Sequence, residues 1–259
     1  MTKIPFIQVD AFAERPLTGN PAAVMPLERW LDDAQMQAIA AENNLSETAF
    51  TVPSDNGDAD YELRWFTPTV EVDLCGHATI ASGHVLLKDG RVRFRTRSGI
   101  LTVSRAGDRL ELELPAFAVE PGEQPGLHEA LGVEGETFLG RDGNGSAIVL
   151  LPDENAVRAV DPDFAALRQI DRLVIVTAPG DRHDIASRVF AAFHGIDEDP
   201  VTGAAHAALV PLWAQRLGRD SFTALQASKR TGVLYCRLAG DRVILGGRCA
   251  TVIVGSFHL

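Results

Sequence analysis

The sequence carries an internal duplication, and this feature constrains the fold more than any single motif does. The longest repeated stretch, Ser98 to Arg109 (SGILTVSRAGDR), recurs as Thr231 to Arg242 (TGVLYCRLAGDR) at an offset of 133 residues. Three shorter matches keep the same order: Gly19-Asn20 with Gly143-Asn144 and Arg64-x-Phe66 with Arg188-x-Phe190, both at an offset of 124, and Gly76 with Gly203 at 127. Because the order is kept and the offset only increases, as small loop insertions would cause, we infer two homologous halves.

The two halves are expected at about residues 1–117 and 118–259, facing each other about a pseudo-twofold axis with an active-site cleft between them. Each half is expected to be a curved, mostly antiparallel sheet or barrel around one central helix, which is an α+β architecture. The segment Glu120–Gln124 is the predicted linker, although the last strand of the chain also fits a return to the first half.

Each half contains one stretch with the composition of a buried central helix. Asp73–His84 and Asp199–Ala208 both begin with a polar, turn-prone approach, pass a glycine and continue into small and apolar residues. A helix that is apolar nearly all round is buried, and its N-terminus, with unpaired amides and a partial positive charge, suits an anion. The pair predicts a site for a carboxylate; the structural alternative is two core helices with ordinary glycine N-termini.

Charge and composition exclude several classes of partner. A net charge of −11 argues against nucleic acid and anionic membranes, although a helix N-terminus still attracts a small anion locally. No apolar run approaches the roughly 18 residues of a transmembrane helix, and residues 1–10 lack the apolar core of a signal peptide. The cysteines Cys75, Cys236 and Cys249 form no metal-spaced pair and fit a reducing cytoplasm. We therefore expect a cytoplasmic protein without a metal site, and no phosphate loop or dinucleotide fingerprint indicates a cofactor.

Glu47 is the first candidate for acid–base chemistry. It follows a predicted helix from Leu31 to about Glu42 and precedes Thr48–Val52, a stretch with the composition of a buried strand. A carboxylate that enters apolar surroundings holds its proton more tightly and can transfer one near neutrality. The structural alternative, a rim glutamate paired with an arginine, fits this position equally well.

Further candidates lie at the N-termini of the two central helices. Cys75 occupies a position where a thiolate is stabilised, but its counterpart is Thr202, so paired-thiol chemistry is not expected. A small buried packing residue is the structural alternative for Cys75. His77 is placed to donate to a substrate carboxylate or hydroxyl. Asp199 is placed either to cap the second helix or to hold a polar group of the substrate.

The remaining polar and glycine positions receive mostly structural interpretations. Gly76 and Gly203 would let the backbone approach a ligand closely. His84 and His206 are interpreted as core histidines, and Gly19-Asn20 as turn chemistry.

Taken in order, these segments resemble the PhzF-like family of phenazine biosynthesis proteins, within the diaminopimelate epimerase-like fold. The segments that carry the resemblance are Val9–Phe12 (VDAF), Gly19–Val24 (GNPAAV), Asn44–Phe50 (NLSETAF), Arg64–Pro68 (RWFTP), Cys75–Thr79 (CGHAT) and Asp199–Gly203 (DPVTG). The match runs nearly the whole chain, and Asn-Leu-Ser-Glu-Thr together with Asp-Pro-x-Thr-Gly is specific.

The resemblance implies a cofactor-independent isomerase in which a glutamate moves a proton on a small cyclic carboxylate. The best-known substrate of the family is trans-2,3-dihydro-3-hydroxyanthranilate. By position, Glu47 would be the general acid/base, and His77 and Asp199 would bind the substrate. The backbone amides around Gly76 and Gly203 would hold its carboxylate. The resemblance also implies a homodimer.

Two positions depart from the family pattern. Ala204, otherwise a substrate-binding position, stands where the family often has serine, so one hydroxyl contact is missing. Cys75 stands where the phenazine enzyme is typically apolar, and Cys75 with Thr202 resembles the pairing of hydroxyproline dehydratases. Two alternatives therefore stay open: epimerase or dehydratase chemistry at Cys75 on an amino or imino acid, and a non-catalytic carboxylate-binding protein.

Overall fold

The computed structural model describes residues 2–55, 57–141 and 145–259. They form two compact units, one of residues up to Glu113 together with Gly246–Leu259, the other of Leu114–Leu245. The elements in chain order are β1 (Lys3–Ala11), β2 (Asn20–Pro26), α1 (Asp33–Asn43), β3 (Glu47–Pro53), β4 (Tyr61–Phe66), β5 (Glu71–Val72), α2 (Gly76–Leu86), β6 (Arg91–Thr96), β7 (Gly99–Ala106), β8 (Arg109–Pro115), β9 (Val119–Pro121), α3 (Leu127–Leu131), β10 (Glu136–Gly140), β11 (Ser146–Leu150), α4 (Glu154–Ala159), α5 (Phe164–Leu167), β12 (Leu173–Pro179), β13 (Ile185–Ala191), a 3-10 helix (Ala192–His194), β14 (Ile196–Asp199), α6 (Gly203–Leu217), β15 (Ser221–Gln226), β16 (Gly232–Ala239), β17 (Arg242–Gly247) and β18 (Cys249–His258). In these described ranges, no helix combines the length and apolar character needed to span a membrane.

The strand pairings of the first unit are repeated in the second. In the first unit, β1 pairs antiparallel with β2, β2 parallel with β3, and β3 antiparallel with β4. Strand β4 then pairs antiparallel with β5 and parallel with β6, and β6 pairs antiparallel with β7. Strands β10 to β16 make the same pairings in the same order. The predicted α+β class with mostly antiparallel sheets is therefore confirmed.

The parallel pairs are the places where helices enter the fold. Parallel neighbours cannot be joined by a tight hairpin and need a longer crossover. Strand β2 reaches β3 through α1, and β4 reaches β6 through β5 and α2. In the second unit, β11 reaches β12 through α4 and α5, and β13 reaches β15 through β14 and α6. Each central helix thus belongs to a crossover and follows directly after a short strand.

Helix α2 is the centre of the first unit. It contacts β1, β2, β3, β6, β7 and β18, and every residue from Gly76 to Gly83 is buried. Small side chains allow this packing, because a Cβ added at Gly83 would lie 2.5 Å from Cγ1 of Val103 on β7. Helix α6 is also buried over most of its length, and Trp213 Nε1 donates to Thr177 Oγ1 at 3.0 Å. Both predicted buried helices are therefore confirmed.

The remaining helices, α1 in the first unit and α3 to α5 in the second, each pack in an apolar cluster against strands of their unit. In the first unit, Met36 and Ile39 of α1 belong to a cluster with Met25, Phe50 and Phe66. In the second unit, the corresponding cluster includes residues of α3, α4 and α5 packed with β11 and β12, among them Leu127, Val157, Leu167, Val149 and Val176. Each unit thus has an apolar core between these helices and the strands on which they pack.

Some sequence predictions of element position are wrong. The predicted linker Glu120–Gln124 begins inside β9, which pairs antiparallel with β10. Helix α1 begins at Asp33 and not at Leu31, because the Asp32 carboxylate accepts from the Gln35 amide at 2.8 Å and caps the helix there.

The last strand of the chain returns to the first half, which is the second possibility that the sequence left open for it. Strand β18 pairs antiparallel with β1 from one end to the other, with one irregularity between Gln8 and Val9. The return of the final strand to the first half is therefore what the structure shows. One member of the repeat, Gly143-Asn144, lies outside the described residues.

Candidate active site

Glu47 is the first residue of β3, and the end of α1 sets its position. Helix α1 ends at Asn43, and Asn44 adopts the left-handed conformation (φ 48°, ψ 39°), with its N–H donating to the Ala40 carbonyl at 3.1 Å. The chain turns there, and Glu47 enters the sheet opposite Ala22 of β2 in parallel register. Its side chain is 13% exposed, so most of the carboxylate is removed from water.

His77, in the first turn of α2, lies against Glu47. Its Nε2 is 3.0 Å from Oε2 of Glu47, and its side chain is only 5% exposed. The two atoms are close but not aligned as a hydrogen bond, and neither has an aligned partner elsewhere among the described residues. Catalytic hydrogen bonds are often poorly aligned without substrate and tighten when it binds. Glu47 and His77 thus form a buried pair in which both facing atoms are able to bind a further group.

The other ring nitrogen of His77 has two neighbours. Asn20 Nδ2 lies 3.2 Å from Nδ1, and Cys75 Sγ lies 3.5 Å from the same atom. Asn20 is fully buried at the start of β2, directly after Gly19, whose φ of 67° suits glycine. The interpretation of Asn20 as turn chemistry misses this contact, although the residue lies both in the duplicated Gly-Asn pair and in the Gly19–Val24 segment.

Burial and neighbouring charge change the proton affinities in this cluster. Burial, followed by the charge of Glu47, raises the pKa of the Cys75 thiol to about 11, so the sulfur keeps its proton at neutral pH. Burial alone would lower the pKa of His77, but its interactions with Cys75 and Glu47 outweigh burial and hold this pKa well above its ordinary value. Because Cys75 is a neutral thiol at neutral pH, the Glu47 carboxylate is then the remaining charge that favours protonation of His77.

Glu47, Cys75 and His77 also have to be examined as possible ligands of a metal ion, because their donor atoms lie close together. In the part of the chain that the structure describes, donor atoms of Glu47, Cys75 and His77 lie within 4.8 Å of one another. The imidazole separates the other two, because Cys75 faces Nδ1 and Glu47 faces Nε2. A metal ion binds a histidine nitrogen at about 2 Å. If an ion were bound to one ring nitrogen, the group beside the other nitrogen would have to move before it could coordinate the same ion. The arrangement suits proton transfer better than metal binding.

The remaining predicted residues lie at the two helix N-termini. Gly76 is the first residue of α2. In the second unit, Asp199 ends β14, Thr202 is the N-cap of α6, and Gly203 and Ala204 begin that helix. The Thr202 hydroxyl donates to Oδ2 of Asp199. The structure therefore brings Glu47, Cys75 and His77 together in one unit, and groups the other predicted polar residues at the N-terminus of α6.

Gln226 holds the segment before α6 and was not predicted. Its fully buried side chain donates from Nε2 to the Asp199 carbonyl at 2.7 Å and accepts at Oε1 from the Thr202 amide at 2.8 Å. Gln226 ends β15, whose parallel pairing with β13 brings it beside this segment. A single glutamine at a strand end gives no sequence signal for such a contact.

The two histidines interpreted as core residues differ. His206 is fully buried, its Nδ1 donates to the Thr202 carbonyl at 2.8 Å, and burial lowers its pKa to about 4. This is the predicted core histidine. For His84 the prediction is wrong, because the residue is exposed near the C-terminus of α2, where Nε2 lies 2.9 Å from Thr251 Oγ1.

Solved structures define the class of fold. A PhzF-family phenazine biosynthesis protein from Enterococcus faecalis matches with a TM-score of 0.93 and 44% identity, over 100% of both chains. A hydroxyproline epimerase from Agrobacterium vitis, with bound trans-4-OH-L-proline, matches with a TM-score of 0.61 over 98% of this chain and 92% of that chain. At 13% identity the second likeness concerns the fold alone. The fold is therefore the predicted diaminopimelate epimerase-like fold.

Sequence comparison then gives the family. Residues 9–255 match the PhzC-PhzF family, described as phenazine biosynthesis-like protein, and the chain belongs to this family. Two Pseudomonas aeruginosa proteins are each 50% identical to it over 99% of this chain and 100% or 99% of their own. Both carry the name uncharacterized isomerase. The prediction of an isomerase is therefore confirmed at the level of the family.

Proposed function

We propose that this chain is a cofactor-independent isomerase that uses Glu47 to move a proton between two carbons of a small cyclic carboxylate. The observation that carries the proposal is the buried pair of Glu47 and His77, with Oε2 and Nε2 3.0 Å apart. A positioned carboxylate can take a proton from carbon and return it elsewhere. The substrate implied by the resemblance, trans-2,3-dihydro-3-hydroxyanthranilate, is the first compound to test.

In the proposed reaction Glu47 acts once as base and once as acid. Its carboxylate removes a proton from one carbon, and the electron pair of that C–H bond moves into the conjugated ring system. The carboxylic acid so formed gives the proton to a second carbon, which restores the carboxylate. No other reactant is consumed. His77 is close enough to hydrogen-bond the carboxylate, or a substrate oxygen beside it, at both stages.

The substrate carboxylate is assigned to the backbone amides at the N-terminus of α2. Cys75 is the N-cap and makes no capping hydrogen bond with its side chain, so it does not compete for these amides. Such amides, together with the helix dipole, bind anions. Asp199 and Gly203 of the second unit keep the binding role that the resemblance predicts, while Ala204 supplies no hydroxyl.

The variant Glu47→Gln tests the proposal, because glutamine keeps the shape of the side chain and cannot carry the proton. Turnover should fall by about 10²–10⁴-fold, the usual contribution of a general acid/base, while the dissociation constant of a bound substrate analogue changes little. The measurements are steady-state kinetics and calorimetry.

Glu62→Gln is the matched control for this experiment. Glu62 is another partly buried glutamate of the same unit, and it accepts from Trp30 Nε1 at 3.0 Å. This variant should keep wild-type turnover. Wild-type turnover in Glu47→Gln would refute the assignment.

Chemistry at Cys75 is the second candidate, and one contact favours it. Its sulfur lies 3.5 Å from Nδ1 of His77 and is buried in the same cluster. A cysteine acts as an epimerase base only as the thiolate, however, and a pKa of about 11 leaves little thiolate at neutral pH. Glu47 therefore remains the preferred proton carrier.

A carboxylate-binding protein without catalysis would bind the analogue and show no turnover with any substrate.

A further inference from the structure

Two groups approach Nδ1 of His77, and both can donate to it. The amide Nδ2 of Asn20, at 3.2 Å, carries two hydrogens and accepts none. The Cys75 sulfur, at 3.5 Å, is a thiol at neutral pH and carries one hydrogen. Because Asn20 Nδ2 can only donate, Nδ1 forms a hydrogen bond with it only as the acceptor. The proton of a neutral His77 then belongs on the opposite nitrogen, Nε2.

We propose that Asn20 is a positioning residue, which holds His77 as the tautomer protonated at Nε2 so that an N–H faces Glu47. This inference rests on the proposed role of Glu47 and deepens it. Asn20 does not reach the reacting atoms itself, because it contacts the far side of the imidazole.

The tautomer decides what His77 can do for the proton transfer. With the proton on Nε2, the ring offers a donor beside Oε2 of Glu47, which stabilises the carboxylate that must act as base. With the proton on Nδ1, a bare Nε2 lone pair would face the carboxylate at 3.0 Å and repel it. The same N–H can turn to a substrate oxygen once Glu47 has taken up its proton.

The backbone before Asn20 supports a fixed amide. Asn20 follows a loop in which Phe12, Leu17 and Gly19 all have positive φ, at 56°, 70° and 67°. The Asp10 carboxylate, fully buried in β1, accepts from the Leu17 amide at 2.7 Å. Non-glycine residues adopt such backbone angles at a cost, and the surrounding contacts hold them there. The loop therefore fixes the backbone that leads into Asn20 at the start of β2.

Nitrogen-15 NMR of the histidine rings tests the proposal without using turnover. The His77 ring is assigned by the resonances that disappear in His77→Gln. The spectra are recorded above the raised pKa of His77, where the ring is neutral. In the wild type, Nε2 should then be protonated and Nδ1 bare. In Asn20→Asp, which has nearly the same shape but presents only acceptors, the proton should move to Nδ1 or both nitrogens should be protonated. A neutral wild-type ring with its proton on Nδ1 would overturn the proposal, and this result needs no variant.

Cys75→Ala is the control, because it removes the other donor to Nδ1. Its His77 tautomer should stay as in the wild type. If Cys75→Ala changes the tautomer and Asn20→Asp does not, the role belongs to Cys75 and the proposal is wrong. Turnover of Asn20→Asp should fall by about 10²-fold. Wild-type turnover in Glu47→Gln would refute the proposed function, whereas the ring resonances decide the role of Asn20 by themselves.

Discussion

Cys75 is the residue that separates the two kinds of chemistry most directly. The proposed transfer runs through Glu47 and needs no thiolate. Cys75→Ala should therefore keep turnover within about tenfold of the wild type, well below the usual loss when a general acid/base is removed. The measurement is kcat/KM at neutral pH. A loss of about 10³-fold in this variant, with Glu47→Gln still active, would place the chemistry at Cys75.

His206 gives the stability of the protein a pH dependence of defined sign. Burial lowers its pKa from 6.5 to about 4. Below about pH 6.5 the unfolded chain therefore binds a proton that the folded protein does not. The contribution of His206 to the free energy of unfolding is fully present above pH 6.5. It is lost as the pH falls towards 4, by roughly 3 kcal/mol at most.

His206→Asn tests this prediction, because asparagine keeps a donor for the Thr202 carbonyl but does not titrate. Urea unfolding between pH 7 and pH 4 should show a smaller loss of the free energy of unfolding in the variant than in the wild type. The same dependence on pH in both proteins would contradict the prediction.

The residues found only in the structure act through contacts that are distant in sequence. Asn20 and His77 are 57 positions apart, and Gln226 lies 24 positions beyond Thr202. Glu47, Cys75 and His77 could be proposed from the sequence because each lies in a local motif. Asn20 also lies in a local motif, but the motif does not show that its amide contacts His77, and Gln226 has no local pattern at all. The roles of both follow from contacts that the sequence does not display.

Arg64 and Arg188 make the same set of contacts in the two units, an ion pair with a glutamate and a stacking contact with a phenylalanine, and this set is called the arginine clamp. Arg64 makes a two-point ion pair with Glu71 at 2.7 Å, and Arg188 one with Glu198 at 2.7 and 3.0 Å. Each guanidinium also lies over the phenylalanine two positions further on, 5.2 and 5.0 Å from the ring centroid. The glutamates belong to β5 and β14, the strands before α2 and α6. The duplicated Arg-x-Phe motif therefore holds the approach to each central helix.

Loss of one clamp should destabilise the fold measurably. Arg188→Ala removes the ion pair to Glu198 and a hydrogen bond to the Val160 carbonyl at 2.6 Å, and should cost about 2 kcal/mol in the free energy of unfolding. Arg216→Ala is the control. It breaks a more exposed pair with Glu136 and should cost less than about 1 kcal/mol. Equal losses by urea unfolding would contradict the clamp.

At the scale of the whole molecule, duplication made the fold class predictable. The repeat fixes two similar halves, and the glycine-led apolar stretches fix one buried helix in each. The parallel pairs β2/β3 and β11/β12 were not predicted, because pairing direction depends on where a crossover returns. Strand β9 was missed for a similar reason, since its three residues become a strand only through pairing with β10.

The central claim is that Glu47 carries the proton, and NMR of trans-2,3-dihydro-3-hydroxyanthranilate in D2O tests it most directly. With the wild-type protein, we predict loss of the starting resonances and deuterium at the carbon that receives the proton. With Glu47→Gln, the spectrum should stay unchanged over the same time. Deuterium incorporation by Glu47→Gln at the wild-type rate would contradict the claim, and an unchanged wild-type spectrum would reject this compound as the substrate.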